Sequence, residues 1–139
     1  MAHVIVIGAG QAGASCVAKL RAEGFEGEIT LIGSETALPY QRPPLSKKYL
    51  LGDMDLERLF LRPQSFYEQN DITLRLGETV DHIDAEKRTV SLGDEMLGYT
   101  DLVLTTGSAP RRLPDAIGGG LKNVFTMRDL ADADAMAPM

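Results

Sequence analysis

Hydrophobic and polar positions divide the first third of the chain into three elements. From His3 to Ile7 the residues are apolar and β-branched without alternation, the pattern of a parallel strand covered on both faces. From Gln11 to Glu23 the pattern changes period. Ala12, Val17, Ala18 and Leu20 supply apolar positions, while Lys19, Arg21 and Glu23 take the exposed ones, so this stretch predicts a helix. Gly24 suits its C-cap and Gly27 the turn back. Glu28 to Ile32 then repeats the strand pattern. Strand, helix and strand close within 32 residues, the size of a right-handed crossover.

Beyond this unit the pattern is less regular. Leu38 to Leu51 carries two adjacent prolines, which enforce an extended approach, with a short helix beginning near Leu45 or Ser46. Leu56 to Leu61 reads as a short packing segment. Pro63 opens a helix over Gln64–Gln69, whose Phe66 and Tyr67 read as core or half-core aromatics and not as cofactor platforms. Strands are predicted at Ile72–Leu76, at Glu78–Ile83 with Val80 and Ile83 inward, and at Arg88–Leu92. A turn at Asp84–Lys87 and another at Gly93-Asp94 separate the later strands, and Met96–Thr100 returns. Asp101–Gly107 has the form of a buried strand ending in Thr-Gly. Pro114–Gly120 is a surface loop, Val124–Met127 a short strand, and Asp129–Met136 a helix with Leu130, Ala133 and Met136 on one face. The fold class expected is α/β: a Rossmann-like dinucleotide-binding domain with a small antiparallel insertion.

Composition narrows the function. The formal charge is −6, from 14 basic and 20 acidic residues, which argues against a general nucleic-acid or membrane binder. No apolar run is long enough for a membrane span, and the apolar start Val4–Ile7 lacks the basic flank of a signal peptide. The single Cys16 excludes an intrachain disulfide and reads as a small packing residue in the first helix. A cytoplasmic address is expected. Neither histidine points to a site: His82 reads as a half-exposed strand residue, and His3 has no carboxylate, serine or second metal ligand nearby in sequence. Asp129, Asp132 and Asp134 mark a helix start and its surface, because their spacing is not that of a calcium loop.

The chemistry lies where the first strand meets its helix. Gly8-Ala9-Gly10-Gln11-Ala12-Gly13 is a Gly-x-Gly-x-x-Gly turn. Gly8 permits the tight turn, Gly10 removes a side chain where a pyrophosphate would approach, and Gly13 lets helix and strand pack closely. The helix N-terminus offers N–H groups to phosphates. Glu35 lies 22 residues after Gly13, just past the second strand, where a carboxylate can accept hydrogen bonds from an adenosine ribose. The motif alone is weak, but strand, helix, second strand and acid all fall in register. It does not separate FAD from NAD. Arg42, Lys47 and Lys48 cluster in an otherwise acidic chain, either as a solvated proline-rich loop or as cations near phosphate or an electron-rich ring. Thr106-Gly107, at the end of a predicted strand, stands where ligands sit in such sheets, although an ordinary glycine exit reads the same way. Val80 suits either packing or the edge of an adenine.

Gly8–Gly13, Glu35, Arg42-Pro43-Pro44-Leu45-Ser46-Lys47 and Thr106-Gly107 together resemble the N-terminal part of FAD-dependent NAD(P)H:ferredoxin reductases of oxygenase systems. These are the reductases of putidaredoxin-like and rhodocoxin-like partners and of aromatic dioxygenase ferredoxins, within the glutathione-reductase-like flavoproteins. The resemblance covers essentially the whole chain, and the Arg42–Lys47 run is its most specific part. It implies FAD as the bound cofactor. Gly8, Gly10 and Gly13 would approach the pyrophosphate, Glu35 the ribose and Val80 the adenine. Arg42 and Lys47 would lie along FAD, with Lys47 near the isoalloxazine in a tuning role, Thr106-Gly107 lining the cofactor path and Arg128 close to the flavin side. The activity implied is transfer of electrons from NADH through FAD to a [2Fe–2S] ferredoxin that supplies an oxygenase or cytochrome P450.

Members of that family are considerably longer and carry a second glycine motif for NADH. Residues 1–127 are therefore expected to be the N-terminal segment of the FAD-binding domain, and 128–139 the start of a connection toward an NAD-binding domain. The segment alone is expected to be inactive. Two other readings stand beside this one. The first is a related flavoprotein with another acceptor, such as an NADH oxidase or an apoptosis-inducing-factor-like protein; the second is a dinucleotide-binding module without turnover. A plain NAD-dependent dehydrogenase fits less well, since it would not need Arg42–Lys47.

Overall fold

The computed structural model describes residues 1–139 and is built from two compact units. The first comprises Met1–Tyr40 and Leu61–Gly107, the second Gln41–Phe60 and Ser108–Met139.

The first unit is an α/β domain. Strand β1 (His3–Ile7) enters helix α1 (Gln11–Ala22), which returns to β2 (Glu28–Gly33). After Leu61 come α3 (Gln64–Gln69), β3 (Ile72–Leu76), β4 (His82–Asp84), β5 (Thr89–Leu92), β6 (Glu95–Gly98) and β7 (Asp101–Leu104). The second unit carries α2 (Leu56–Leu59), α4 (Leu130–Met136) and two single 3-10 turns at Pro43–Ser46 and Asp115–Ile117. The main sheet has order β3-β2-β1-β7 with every pairing parallel; β4-β5-β6 is a separate antiparallel sheet.

Strand alternation explains how both faces of the main sheet are covered. Val4 and Val6 of β1, with Ile29 and Leu31 of β2, turn toward α1 and α3 and pack with Val17, Tyr67 and Ile72. Ile5 and Ile32 turn the other way and pack with Val90 of β5, flanked by Val80, Leu92 and Leu97. The antiparallel insertion thus does for one face what helices do for the other. Each fully buried aliphatic side chain here contributes roughly 1.5–3 kcal/mol.

Arg21 ties the amino ends of the strands together without any carboxylate. Its guanidinium donates to the carbonyls of Asn70 (2.7 Å), Phe25 (2.7 Å), Gly27 (2.8 Å) and Asp71 (2.9 Å). Asp71 has φ of 49°, a conformation favoured by few residues besides glycine and asparagine, and this clamp holds its carbonyl.

Several expectations are corrected. The strand expected over Glu78–Ile83 forms only at His82–Asp84, because Gly77 (φ 71°) turns the chain and Glu78 N–H binds Gly33 C=O instead of a ladder partner. Val80 is therefore a loop residue, and Ile83 is 37% exposed, not inward. β7 stops at Leu104, three residues short of Gly107. It is an edge strand whose Leu104 is 59% exposed, so it is only partly buried. No strand forms at Val124–Met127, where Val124 N–H closes a turn onto Leu121 C=O. The short helix expected from Leu45 or Ser46 is instead the 3-10 turn at Pro43–Ser46, since proline fits the first positions of a helix. His3 does have a carboxylate beside it. Parallel register sets His3 opposite Glu28, bringing Nδ1 to 3.6 Å from Glu28 Oε2, while Nε2 lies 2.8 Å from Thr30 Oγ1. The C-terminal helix is as expected, with Asp129 and Asp132 forming a capping box. No helix is long and apolar enough to cross a membrane.

Candidate dinucleotide-binding site

The glycine turn owes its shape to close backbone contacts. Gly8 has φ of 111°, and a Cβ there would collide with the backbone carbonyl of Thr105. That carbonyl cannot easily retreat. Thr105 N–H binds Ile7 C=O at 2.9 Å, and its hydroxyl donates to Gly8 C=O at 2.9 Å. A Cβ on Gly13 would collide with Gly8 C=O and lie 3.1 Å from Leu31 Cδ1, so this glycine lets α1 begin hard against β1 and β2. Gly10 differs from both. Nothing lies within 4 Å of where its Cβ would be. Its missing side chain therefore serves no packing need among residues 1–139.

The first turn of α1 is also open electrically. Gly10 is the N-cap and provides no side-chain cap, and no acidic residue lies in the first turn. The N–H groups of Gln11, Ala12 and Gly13 have no intrahelical acceptor, and the helix dipole adds partial positive charge there. Free donors beside open space are what an anionic pyrophosphate requires.

The loop after β2 lies against this turn, because a Cβ on Gly33 would stand 2.5 Å from Ala9 Cβ. Glu35 sits on that loop. Its carbonyl accepts from Gly77 N–H at 3.0 Å, and its carboxylate Oε1 accepts a hydrogen bond from the Tyr40 hydroxyl. Val80 and Thr106 join Gly8, Gly33, Ser34 and Glu78 around a cavity of about 190 Å³ at the carboxyl ends of β1 and β2. A neighbouring recess shares Ile7, Val80 and Thr106 and adds His82 and Leu104. The structure thus brings together Gly8, Val80 and Thr106, with Gly10, Gly13 and Glu35 on the adjoining turn and loop. Gly107 follows Thr106 with φ of 69°.

Arg42, Lys47 and Arg128 belong to the second unit. Arg42 Nη1 donates to Arg128 C=O at 3.0 Å, and Arg128 Nε to Ser108 C=O at 2.9 Å. Arg128 N–H donates to Asp132 Oδ2 at 2.7 Å, joining this cluster to the cap of α4. Lys47 is exposed, its Nζ 3.3 Å from Pro43 C=O. Nearby in sequence, Tyr49 donates to Asp134 Oδ1 at 2.6 Å, and this bond, burial and the carboxylate's charge push the phenol pKa up to about 12.

Three contributors had no clear sequence signal. Tyr40 adjoins the Arg42–Lys47 run but nothing local marks it as a partner of Glu35. Thr105 is one residue before the recognised Thr-Gly. Arg75 of β3 grips Glu78 (2.6 and 2.7 Å) and Glu95 of β6 (2.6 and 2.9 Å), joining the loop that carries Val80 to the antiparallel sheet. The Arg75 guanidinium holds both carboxyls below their usual range.

Residues 2–138 match the model of the pyridine nucleotide-disulphide oxidoreductase family. The chain belongs to that family. Family members and their ferredoxin-reductase relatives use FAD and NAD(P)H. Among curated members, a ferredoxin–NAD(P)+ reductase of a Sphingomonas species is 44% identical over 135 residues, covering 96% of this chain and 32% of its own. Rhodocoxin reductase of Rhodococcus erythropolis is 42% identical over 134 residues, covering 96% of this chain and 31% of its own. The crystal structure of a covalent putidaredoxin reductase–putidaredoxin complex superposes with a TM-score of 0.92 at 41% identity, over 99% of this chain and 34% of that one. The chain therefore spans about a third of the length of the family members it matches.

Proposed function

We propose that the protein carrying this chain is an NADH-dependent, FAD-containing reductase of a [2Fe–2S] ferredoxin that serves an oxygenase or cytochrome P450. One observation supports this above the others: identity of 41–44% to ferredoxin reductases extends over nearly the whole chain. A cytoplasmic setting fits the reading. Residues 1–127 then form the N-terminal segment of the FAD-binding domain, and 128–139 lead toward an NAD-binding domain.

The residues present fit the adenosine–pyrophosphate part of FAD. The uncapped start of α1 donates N–H groups to the pyrophosphate, with Gly10 leaving the approach open. Glu35 accepts from the ribose hydroxyls, and its charge disfavours a phosphate there. Val80 offers an apolar surface to adenine, while Thr106 and Gly107 line the cofactor path. Arg42, Lys47 and Arg128 are assigned to FAD by the family resemblance. Lys47, as a compact cation, favours negative charge on the ring system near it. When bound, FAD supplies two-electron acceptance and one-electron release, the chemistry that joins a hydride donor to an iron–sulfur acceptor.

The test begins with the purified full-length protein. Heat-released flavin is identified by chromatography as FAD or FMN, and the visible absorbance of the intact protein is followed on anaerobic addition of NADH. FAD and rapid bleaching are expected. A protein that takes up no flavin on reconstitution would sink the FAD assignment.

A further inference from the structure

We infer that Arg75 is a positioning residue for the adenine end of the cofactor site, where its grip on Glu78 fixes the loop wall that limits the size of the base. The inference rests on the reading of FAD in this cavity with its adenine beside Val80. The wall is the short loop between β3 and β4, and Glu78, Thr79 and Val80 all line the cavity. Just before them the chain turns at Gly77, whose φ of 71° and missing side chain make it a natural pivot.

The loop is tied on either side of Thr79 and Val80. Upstream, Arg75 Nε and Nη2 donate to the two oxygens of Glu78 at 2.7 and 2.6 Å. Downstream, Asp81 N–H donates to Ser91 C=O at 3.0 Å, and Gly93 N–H donates to Asp81 Oδ2 at 2.9 Å. Between these ties Val80 packs against Ile5, Ile32 and Val90. Arg75 makes a firm upstream post because it stands on β3, in register with Ile32 of β2. Its other edge is braced by Glu95, to which Nη1 and Nη2 donate at 2.9 and 2.6 Å. A planar guanidinium that meets two carboxylates edge to edge sets direction as well as charge. A wall held this way leaves a fixed space for the base. Releasing it should therefore cost less in affinity for FAD than in rejection of a larger base.

The test titrates the full-length apoprotein with FAD and with an FAD whose adenine carries an etheno bridge, read by quenching of flavin fluorescence. The readout is the ratio of the two dissociation constants, which a general loss of stability does not move. The wild type should prefer FAD by about tenfold or more, the scale of added carbon atoms in a confined site. Arg75→Gln should lower that preference by about threefold, the scale of a partly exposed ion pair. Arg75→Lys keeps the charge without the fork and should lower it too, which keeps the test open if Arg75→Gln does not fold. Glu95→Gln is the control: it weakens the brace on the same guanidinium but leaves the grip on Glu78, so the preference should be unchanged. Thermal melts of each apoprotein accompany the titrations. A wild type that binds both flavins equally would overturn the inference. So would an unchanged preference in both Arg75 variants, or a loss in Glu95→Gln as large as theirs. Failure of the wild-type apoprotein to bind FAD at all would instead defeat the underlying cofactor assignment, and the inference with it.

Discussion

Gly8 and Gly10 stand two residues apart in one motif, yet the structure gives them opposite consequences on substitution. At Gly8, alanine would take a positive φ, which costs roughly 1–2 kcal/mol for an L-residue. Its Cβ would also strike the carbonyl of Thr105, a residue anchored through its N–H and hydroxyl, and forced overpacking of this kind costs about 1–3 kcal/mol. A loss near 3 kcal/mol lowers the melting temperature of the apoprotein by roughly 6–12 °C. At Gly10, φ is −85° and the added Cβ meets nothing within 4 Å. Replacing an N-cap glycine with alanine costs at most about 1 kcal/mol, or roughly 2–4 °C. The methyl group would, however, occupy the approach to the free N–H groups of α1. Losing two charge-assisted hydrogen bonds there weakens FAD by about 100-fold. Differential scanning fluorimetry of both apoproteins, with FAD titrations, separates the cases. Gly8→Ala should lose stability, and Gly10→Ala should keep stability and lose FAD. A Gly10→Ala protein with wild-type FAD affinity would refute the proposed approach of the pyrophosphate. A Gly8→Ala protein that melts with the wild type would refute the steric argument.

Two further outcomes follow from particular side chains. Glu78 and Glu95 have lowered carboxyl pKa values, chiefly from hydrogen bonds to Arg75. The stability they confer is present above the ordinary carboxylate range and lost as pH falls through their lowered values. Arg75→Gln should therefore flatten the acid limb of a melting-temperature profile, and an unchanged limb would contradict the link. Tyr67 is 1% exposed, yet its buried hydroxyl has no hydrogen-bond partner. Tyr67→Phe should leave the melting temperature unchanged or raise it, by up to about 1 kcal/mol of stability; a clear drop would reveal a partner for that hydroxyl.

What the sequence made legible depended on how local each interaction is. The strand–turn–helix–strand unit was readable because its glycines, apolar runs and acid lie within 35 residues and follow one period each. The acidic start of α4 was readable for the same reason, although its reciprocal capping bonds were not. The partner of His3 was not, because only the register of two parallel strands sets His3 against Glu28. Arg75 and Glu95 are 20 residues apart on different sheets, and no periodicity links them. Val80 looked like a strand residue by its neighbours. Backbone bonds from Gly77 and Glu78 to the Glu35 loop took those groups away from any ladder, which turned a strand into part of the cavity wall. β7 read as buried from composition, but its outer edge has no strand beside it.

Electron stoichiometry tests the proposed activity most directly. Hydride carries two electrons and a [2Fe–2S] ferredoxin takes one. With the full-length protein under anaerobic conditions, limiting NADH and excess oxidised ferredoxin, two clusters should be reduced for each NADH consumed, with no NADH oxidation when ferredoxin and oxygen are both absent beyond one equivalent per bound flavin. Rapid bleaching of the flavin by NADH with no reduction of any [2Fe–2S] ferredoxin offered would contradict the proposed activity while leaving the fold and the family intact.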